Sequence, residues 1–406
     1  MFFETIIIGA GAAGLFCGAA LKDYKRKFLI IEKSSKVGLK LLASGSGQCN
    51  FTHSGDIKDF TNFYGENGKK IRGILFRFNN QMIEEYFNSL GLKTITREDG
   101  KVFPATLKAE DIRSCLLKEI SKNKGEVLCQ RNVISISQSD SEGIYKVIAE
   151  DKDGRECSFT CKNLVIAAGG KSYPKTGSDG KIMETIKAFD DFEIVEQKAA
   201  LVPIYIEGYS YERLSGISIK GAQIKKGKIK ASGDLLFTHR NFSGPLILNF
   251  SRYLNQGDIF EIDYLPSGFK GGQHLKGDGE KRAILNYLIE ETALPKAMLE
   301  VFLGELNINS KEKTASLGGK KIKGIEEAIR CHRYLVNGKA GLDKAMVTCG
   351  GISLKEVSTR SLQSKKHPGL YFIGEILDVD GDTGGYNIQF AFSSGYAAAQ
   401  HISQLP

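Results

Sequence analysis

Three glycines near the start of the chain have the type and spacing to hold an anion. Gly9, Gly11 and Gly14 fill a G-x-G-x-x-G frame. Gly9 suits a tight turn, Gly11 a close approach of backbone to a pyrophosphate, and Gly14 the packing of a helix on a strand. A helix starting here offers free N–H groups and the positive end of its dipole to phosphate. Glu32 closes a second apolar run, at the place where an acid bonds ribose hydroxyls. On these residues alone FAD and NAD fit equally well. A glycine turn in an ordinary βαβ unit is the plainer alternative.

Other residues have chemistry by type. Ser44-Gly45-Ser46-Gly47-Gln48-Cys49-Asn50 is a small-residue loop that can bring backbone N–H groups against a ring or a phosphate. Lys40 offers positive charge beside it, and Cys49 is a candidate redox thiol, although a lone cysteine is more often structural. His239 is a candidate acid/base group by residue type, without a partner identifiable in the sequence. Glu375 is placed to bond ribityl hydroxyls, and a helix starting near Asn387 to stabilise negative charge at a flavin edge. Asp378, Asp380 and Asp382 lack the glycine and terminal Glu of an EF-hand, so no metal is expected.

The elements that must position these residues follow from periodicity. Ile6 to Ile8 and Phe28 to Ile31 read as buried parallel strands around a helix over 12–21, ended by Lys22-Asp23. Asn79 to Leu90 and Lys108 to Ile120 read as amphipathic helices. Val127 to Ser137 and Ile144 to Ala149 read as a hairpin, extended by Ser158 to Cys161. Asn163 to Gly170 is an apolar strand ending in small residues, where a chain passes close to a cofactor. From 193 the pattern changes to short strands between glycine turns, at 201–206, 217–220, 223–225, 228–230, 234–237 and 259–264, which suggests a small barrel. Helices are expected at 281–291, 295–303 and 325–331, then a strand at 333–336. Leu370 to Ile373 is a last strand, before an Ala/Ser/Gly-rich helix running to about Gln400.

At 406 residues, 41% hydrophobic and 25% charged, the chain has the bulk composition of a soluble globular protein of two or three domains. Eight scattered cysteines form neither a disulfide framework nor a zinc site, which leads us to expect reduced thiols and a cytoplasmic protein. No apolar run approaches the roughly 20 residues of a membrane span. A net charge of +9 permits an anionic cofactor or a polyanionic partner. Lys225, Lys226, Lys228 and Lys230, with Lys320, Lys321 and Lys323, are candidates for a basic face, although no RNA-binding motif accompanies them.

The segments Gly9–Gly14, Gly38–Thr52, Val102–Pro104, Val165–Gly177, Thr238–Pro245, Val347–Val357 and Pro368–Gly395 together resemble the bacterial BaiN/YhiN-like, or aminoacetone-oxidase-like, flavoproteins. The resemblance covers essentially the whole chain. It departs from the family pattern at Gln48, where Arg is usual, and at Ser46, where Gly is. It implies an α/β fold: a Rossmann-like FAD-binding domain of the two-dinucleotide type with an inserted β-barrel and small helical domain. The expected domains are 1–192 and 341–406 for FAD, and 193–340 for the insertion. Within the insertion, 193–264 with 332–340 forms the barrel and 265–331 the helical part.

FAD is then the expected tightly bound cofactor. Its expected contacts are Gly9, Gly11, Ala12, Ala13, Gly14, Glu32, Lys33, Lys40, Ser44, Gly45, Gly47, Gln48, Cys49, Asn50, Val133, Ala168, Gly169, Gly170, Gly374, Glu375, Asn387 and Ile388. The expected activity is an FAD-dependent oxidoreductase whose flavin is reduced by NAD(P)H or by a small organic substrate and reoxidised by an organic acceptor or oxygen. A second strand-linked glycine motif is absent, so NAD(P)H is expected only as a transient electron donor. Lys40, Cys49 and His239 are the catalytic candidates. A flavin-dependent RNA-modifying enzyme, binding RNA through the basic insertion, is the alternative class, and a flavin-binding protein without turnover a third.

Overall fold

A computed structural model describes residues 1–22, 27–139, 143–265 and 282–405. Asp23, part of the turn expected at 138–143, and residues 266–281 of the helical part expected at 265–331 lie outside the described residues. The chain forms two compact units, one of residues 1–199 with 342–406 and one of residues 200–341.

The strands in chain order are β1 (Phe2–Ile8), β2 (Phe28–Ile31), β3 (Thr52–His53), β4 (Thr94–Thr96), β5 (Lys101–Pro104), β6 (Glu126–Leu128), β7 (Asn132–Gln138), β8 (Tyr145–Glu150) and β9 (Glu156–Ile166). They continue as β10 (Ile194–Ala200), β11 (Ile204–Ile206), β12 (Ser218–Lys226), β13 (Ile229–Phe237), β14 (Phe242–Ser243), β15 (Ile259–Asp263), β16 (His332–Lys339), β17 (Val347–Ile352) and β18 (Leu370–Phe372).

The first unit is built on a mixed seven-stranded sheet in the order β6-β2-β1-β9-β8-β7, with β18 also paired to β9. β1 runs parallel to both β2 and β9, with Ile7 opposite Ile30 and Val165. Covered on both faces, its isoleucines are fully buried, which is why the run is continuously apolar. β9 is long because one edge serves two neighbours. Residues 156–161 pair antiparallel with β8, and 164–166 pair parallel with β18. The hairpin extension and the late strand expected separately are therefore one strand.

The single strand expected over 127–137 is two. β6 lies parallel to β2, Gln130 turns the chain at φ 57°, and β7 starts a new antiparallel pair with β8. The C-terminal helix Tyr386–Ser403 packs on the first helix, Ala12–Ala20. A Cβ on Gly395 would lie 2.7 Å from the Ala13 carbonyl oxygen. The small residues of that helix thus allow helix–helix approach.

The second unit contains a closed six-stranded barrel, β11-β14-β13-β12-β15-β16. The short pieces expected at 217–225 and 228–237 are two nine-residue strands, β12 and β13, and the register shift between Ile219 and Ala222 explains the interrupted pattern. Helices Ile284–Thr292, Lys296–Glu305 and Gly319–Arg330 add to its core. β17 and the helices at Ile182–Phe189 and Pro245–Phe250 had no clear signature in the sequence.

Candidate cofactor site

The glycine frame folds as a strand, a turn and a helix. Gly9 takes φ 103°, and a Cβ there would sit 2.5 Å from the Ala167 carbonyl oxygen. A Cβ on Gly14 would sit 1.9 Å from the carbonyl oxygen of Gly9, so only glycine lets the helix start this close. Gly11 is different: among the described residues nothing lies within 4 Å of a Cβ built on it. The helix over 12–20 has Gly11 as N-cap, no side-chain cap and no acid in its first turn. The first-turn N–H groups have no side-chain cap, and the helix dipole favours negative charge there, as a pyrophosphate supplies. Ala12 and Ala13 stand in that first turn.

Glu32 is buried at the same place. Its Oε2 accepts from the N–H of Ala10 and its Oε1 from the N–H of Ser34, each at 2.8 Å. The carboxylate is held beside the glycine turn with acceptor capacity left for hydroxyl donors. The N–H groups of Gln130 and Arg131 donate to the carbonyls of Ser34 and Glu32, which brings the start of β7, with Val133, next to this strand end.

A loop covers the neighbouring edge. Ala168, Gly169 and Gly170 leave β9, and Gly169 takes φ 74°. The Ser178 hydroxyl is buried without a hydrogen-bond partner among the described residues, 2.9 Å from the Cβ position of Gly169. Such an orphaned buried hydroxyl beside the glycine strand end suits a polar group of a bound cofactor. Lys33 is committed elsewhere, with its Nζ 2.5 Å from Asp179. Burial opposes charge on Asp179, but Lys33 and the Lys181 N–H outweigh it and hold the carboxyl below the usual range.

Lys40 and Glu375 meet between these elements. Lys40 Nζ lies 2.6 Å from both Glu375 Oε2 and Ser172 Oγ. Ser172 Oγ donates to Glu375 Oε1 at 2.9 Å, and the Thr348 N–H donates to the same oxygen at 2.8 Å. Four chain segments thus share one carboxylate. Gly374, at φ 70°, sets Glu375 against the first helix: a Cβ there would lie 2.7 Å from the Ala13 Cβ.

The 44–50 loop has successive left-handed residues: Gly45 at φ 55°, Ser46 at 56°, Gly47 at 86° and Cys49 at 58°. Ser44 caps the preceding turn through its hydroxyl to the Leu41 carbonyl, and Asn50 Nδ2 ties the loop to Thr52 and Val102. Gln48 Oε1 accepts from Arg97 at 2.6 Å, and that guanidinium lies 4.1 Å over the Phe103 ring.

The side chains of Asn387 and Cys49 face inward. Asn387 braces its own loop, bonding both the N–H and the carbonyl of Gly381 at 2.8 Å. The helix N-terminus beside Ile388 is capped by Gly385 without a side chain. Cys49 is fully buried, and burial pushes its thiol up to about 12 despite a hydrogen bond from Ser44. A protonated, enclosed thiol is poorly suited to redox exchange. His239 is exposed in the second unit, in the β13–β14 connection.

A model of the HI0933-like protein Rossmann domain matches residues 3–401. The chain belongs to this family. HI0933-like relatives include a ribosomal RNA dihydrouridine synthase of Haemophilus influenzae, 32% identical over 407 residues and 99% of both chains. Another is a 3-dehydro-bile acid delta(4,6)-reductase of Clostridium scindens, 26% identical over 417 residues, 98% of this chain and 99% of the relative. The fold resembles that of a 3-ketosteroid delta1-dehydrogenase from Sterolibacterium denitrificans, with TM-score 0.54, 13% identity and 99% of each chain covered. Family and fold are those of FAD-dependent oxidoreductases, and the expected Rossmann-plus-barrel architecture of the HI0933-like chain is the one observed.

Sequence reasoning missed Ser172, Ser178, Thr348 and Arg97. Ser172 and Ser178 lie in an irregular stretch with no repeat to flag them, and Thr348 sits in an unrecognised strand. The Val165–Gly177 and Val347–Val357 segments carried the family resemblance, but neither Ser172 nor Thr348 had a role assigned to it there. The basic face is partly neutralised. Lys225 pairs with Glu261 at 3.7 Å, Lys226 with Asp258, Lys321 with Glu312 at 2.9 Å and Lys323 with Glu327 at 3.6 Å. Among the described residues, no helix is long and apolar enough to cross a membrane.

Proposed function

We propose that this chain is an FAD-dependent reductase that adds two hydrogens across the C5=C6 bond of uridine in ribosomal RNA, with NAD(P)H as the electron donor. The observation that carries the reading is the full-length relationship to the Haemophilus ribosomal RNA dihydrouridine synthase, at 32% identity. The bile acid relative supports the same chemistry, since its printed name also denotes reduction of carbon–carbon double bonds beside an oxidised C3 position. In both cases a hydride and a proton add across a double bond conjugated with a carbonyl. The reading departs from the small-molecule substrate expected from the sequence.

The residues divide the work. FAD, when bound, supplies two-electron transfer between donor and substrate. Gly11, Ala12 and Ala13 would hold its pyrophosphate, and Glu32 and Ser178 would offer polar contacts beside them. Lys40 Nζ carries three protons, two of them directed at Glu375 and Ser172. It is the candidate to place positive charge or a proton beside the substrate carbonyl. Cys49 and His239 have no role in this reading.

The test is mass spectrometry of ribosomal RNA from the source cells with and without the gene. A uridine two hydrogens heavier, lost on deletion and restored by the wild-type gene, supports the reading. Identical ribosomal RNA in both strains sinks it.

A further inference from the structure

Tyr173 is the exposed tyrosine among the described residues, with 37% of its surface accessible. It also holds a left-handed backbone, φ 54° and ψ 56°, which side chains other than glycine and asparagine adopt at a cost. The ring keeps more than a third of its surface in solvent at a position whose backbone is strained for tyrosine.

The loop holds it firmly nonetheless. The Thr176 N–H and hydroxyl both donate to the Tyr173 carbonyl, at 2.8 and 2.7 Å. The Tyr173 N–H reaches the Leu342 carbonyl at 3.3 Å. Pro174 follows at once and restricts the next φ. On the other side the Ser172 N–H donates to Thr348 Oγ1 at 3.0 Å, while its hydroxyl bonds Glu375. The Tyr173 backbone is thus anchored next to Ser172, whose hydroxyl bonds both Lys40 and Glu375. Lys171 and Lys175 flank it, with Lys175 exposed.

A partly exposed aromatic on an anchored loop, with a lysine two positions away on either side in the chain, has the chemistry of single-stranded RNA recognition, where unstacked bases lie on aromatic faces and lysines meet phosphates. We infer that Tyr173 is a base-stacking residue that receives a nucleotide of a single-stranded, uridine-containing RNA at the mouth of the Lys40–Glu375 site. The inference rests on the RNA reading above and assigns the contact to the first unit in place of the lysines of the insertion.

The chain has no tryptophan, so Tyr173→Trp introduces a single indole reporter. The experiment uses FAD-loaded full-length protein and a short uridine-rich single-stranded RNA. Stacking quenches the indole emission of the Tyr173→Trp protein on titration. In parallel, Tyr173→Asn, which tolerates the left-handed backbone but lacks the ring, weakens RNA binding roughly 5- to 100-fold. Tyr173→Phe binds as the wild type does, and FAD content is equal in all. RNA that binds without changing the emission, a Tyr173→Asn protein that binds as tightly as wild type, or a wild type that binds no RNA overturns the inference. RNA that binds and quenches but acquires no dihydrouridine overturns the functional reading while the stacking role stands. Dihydrouridine formed by Tyr173→Asn at the wild-type rate under subsaturating RNA does the reverse.

Discussion

Lys40 Nζ and Glu375 Oε2 stand 2.6 Å apart although 335 positions separate them in the chain. The pair is nearly three-quarters or more enclosed, and Glu375 also accepts from Ser172 and Thr348. Lys40→Met leaves that carboxylate short of its cation and costs roughly 2 kcal/mol of stability. Glu375→Gln keeps the shape and costs less. Both variants are expected to lower the rate of substrate reduction at least tenfold while retaining FAD, measured as flavin absorbance per chain after gel filtration. Wild-type rates in Lys40→Met would remove Lys40 from the chemistry.

Gly11 and Gly14 are predicted to fail in different ways. Gly11→Ala places its methyl in open space at an ordinary φ of −80°, so the fold stands while the pyrophosphate loses its close approach. Gly14→Ala drives a methyl into the Gly9 carbonyl oxygen and destabilises the strand–helix junction itself. The expected result is an apo-protein with wild-type melting for Gly11→Ala, and poor folding for Gly14→Ala. FAD retained at full occupancy by Gly11→Ala would contradict the site.

Much of this was readable beforehand, and the reasons are physical. The glycine frame, Glu32 and the Gly374-Glu375 strand end are local signals, because backbone geometry admits few residue types there. The barrel was visible as a density of short strands. What the sequence concealed was convergence. Ser172 and Thr348 are ordinary polar residues whose role appears only when β17 and the 171–177 loop meet Glu375. The inward-facing thiol of Cys49 was equally hidden, since residue type says nothing of burial.

Cys49 is expected to be inert. Native protein treated with iodoacetamide at neutral pH should carry label on the exposed Cys331 and none on Cys49. Cys49→Ala should reduce substrate at close to the wild-type rate. Rapid labelling of Cys49, with loss of activity, would restore it as a redox candidate.

The barrel unit carries a pH dependence of known sign. Burial lowers the His332 pKa below the ordinary 6.5, against the pull of Glu305 and the Ala328 carbonyl. Its ring stacks on Tyr334 at 4.4 Å between centroids. The unfolded chain therefore binds this proton more readily than the folded one, so stability is full above 6.5 and falls as pH drops through the lowered folded value. Wild-type protein should lose more stability than His332→Gln between about pH 7.5 and about pH 5.5, read from urea midpoints. Equal slopes would place His332 outside that dependence.

Arg97 spans from the β4–β5 turn to Gln48, over the face of Phe103. Arg97→Ala should loosen the 44–50 loop and weaken FAD binding several-fold, with a melting temperature within a few degrees of wild type. Unchanged FAD affinity would mean the loop holds its shape without this brace.

The measurement that bears most directly on the central claim is an anaerobic incubation of FAD-loaded protein with NADPH or NADH and a ribosomal RNA fragment, followed by nucleoside mass spectrometry. The account predicts dihydrouridine at a defined position, formed with FAD and a nicotinamide present and lost when either is omitted. Flavin that is reduced by the nicotinamide, with RNA bound and every uridine left intact, would contradict it.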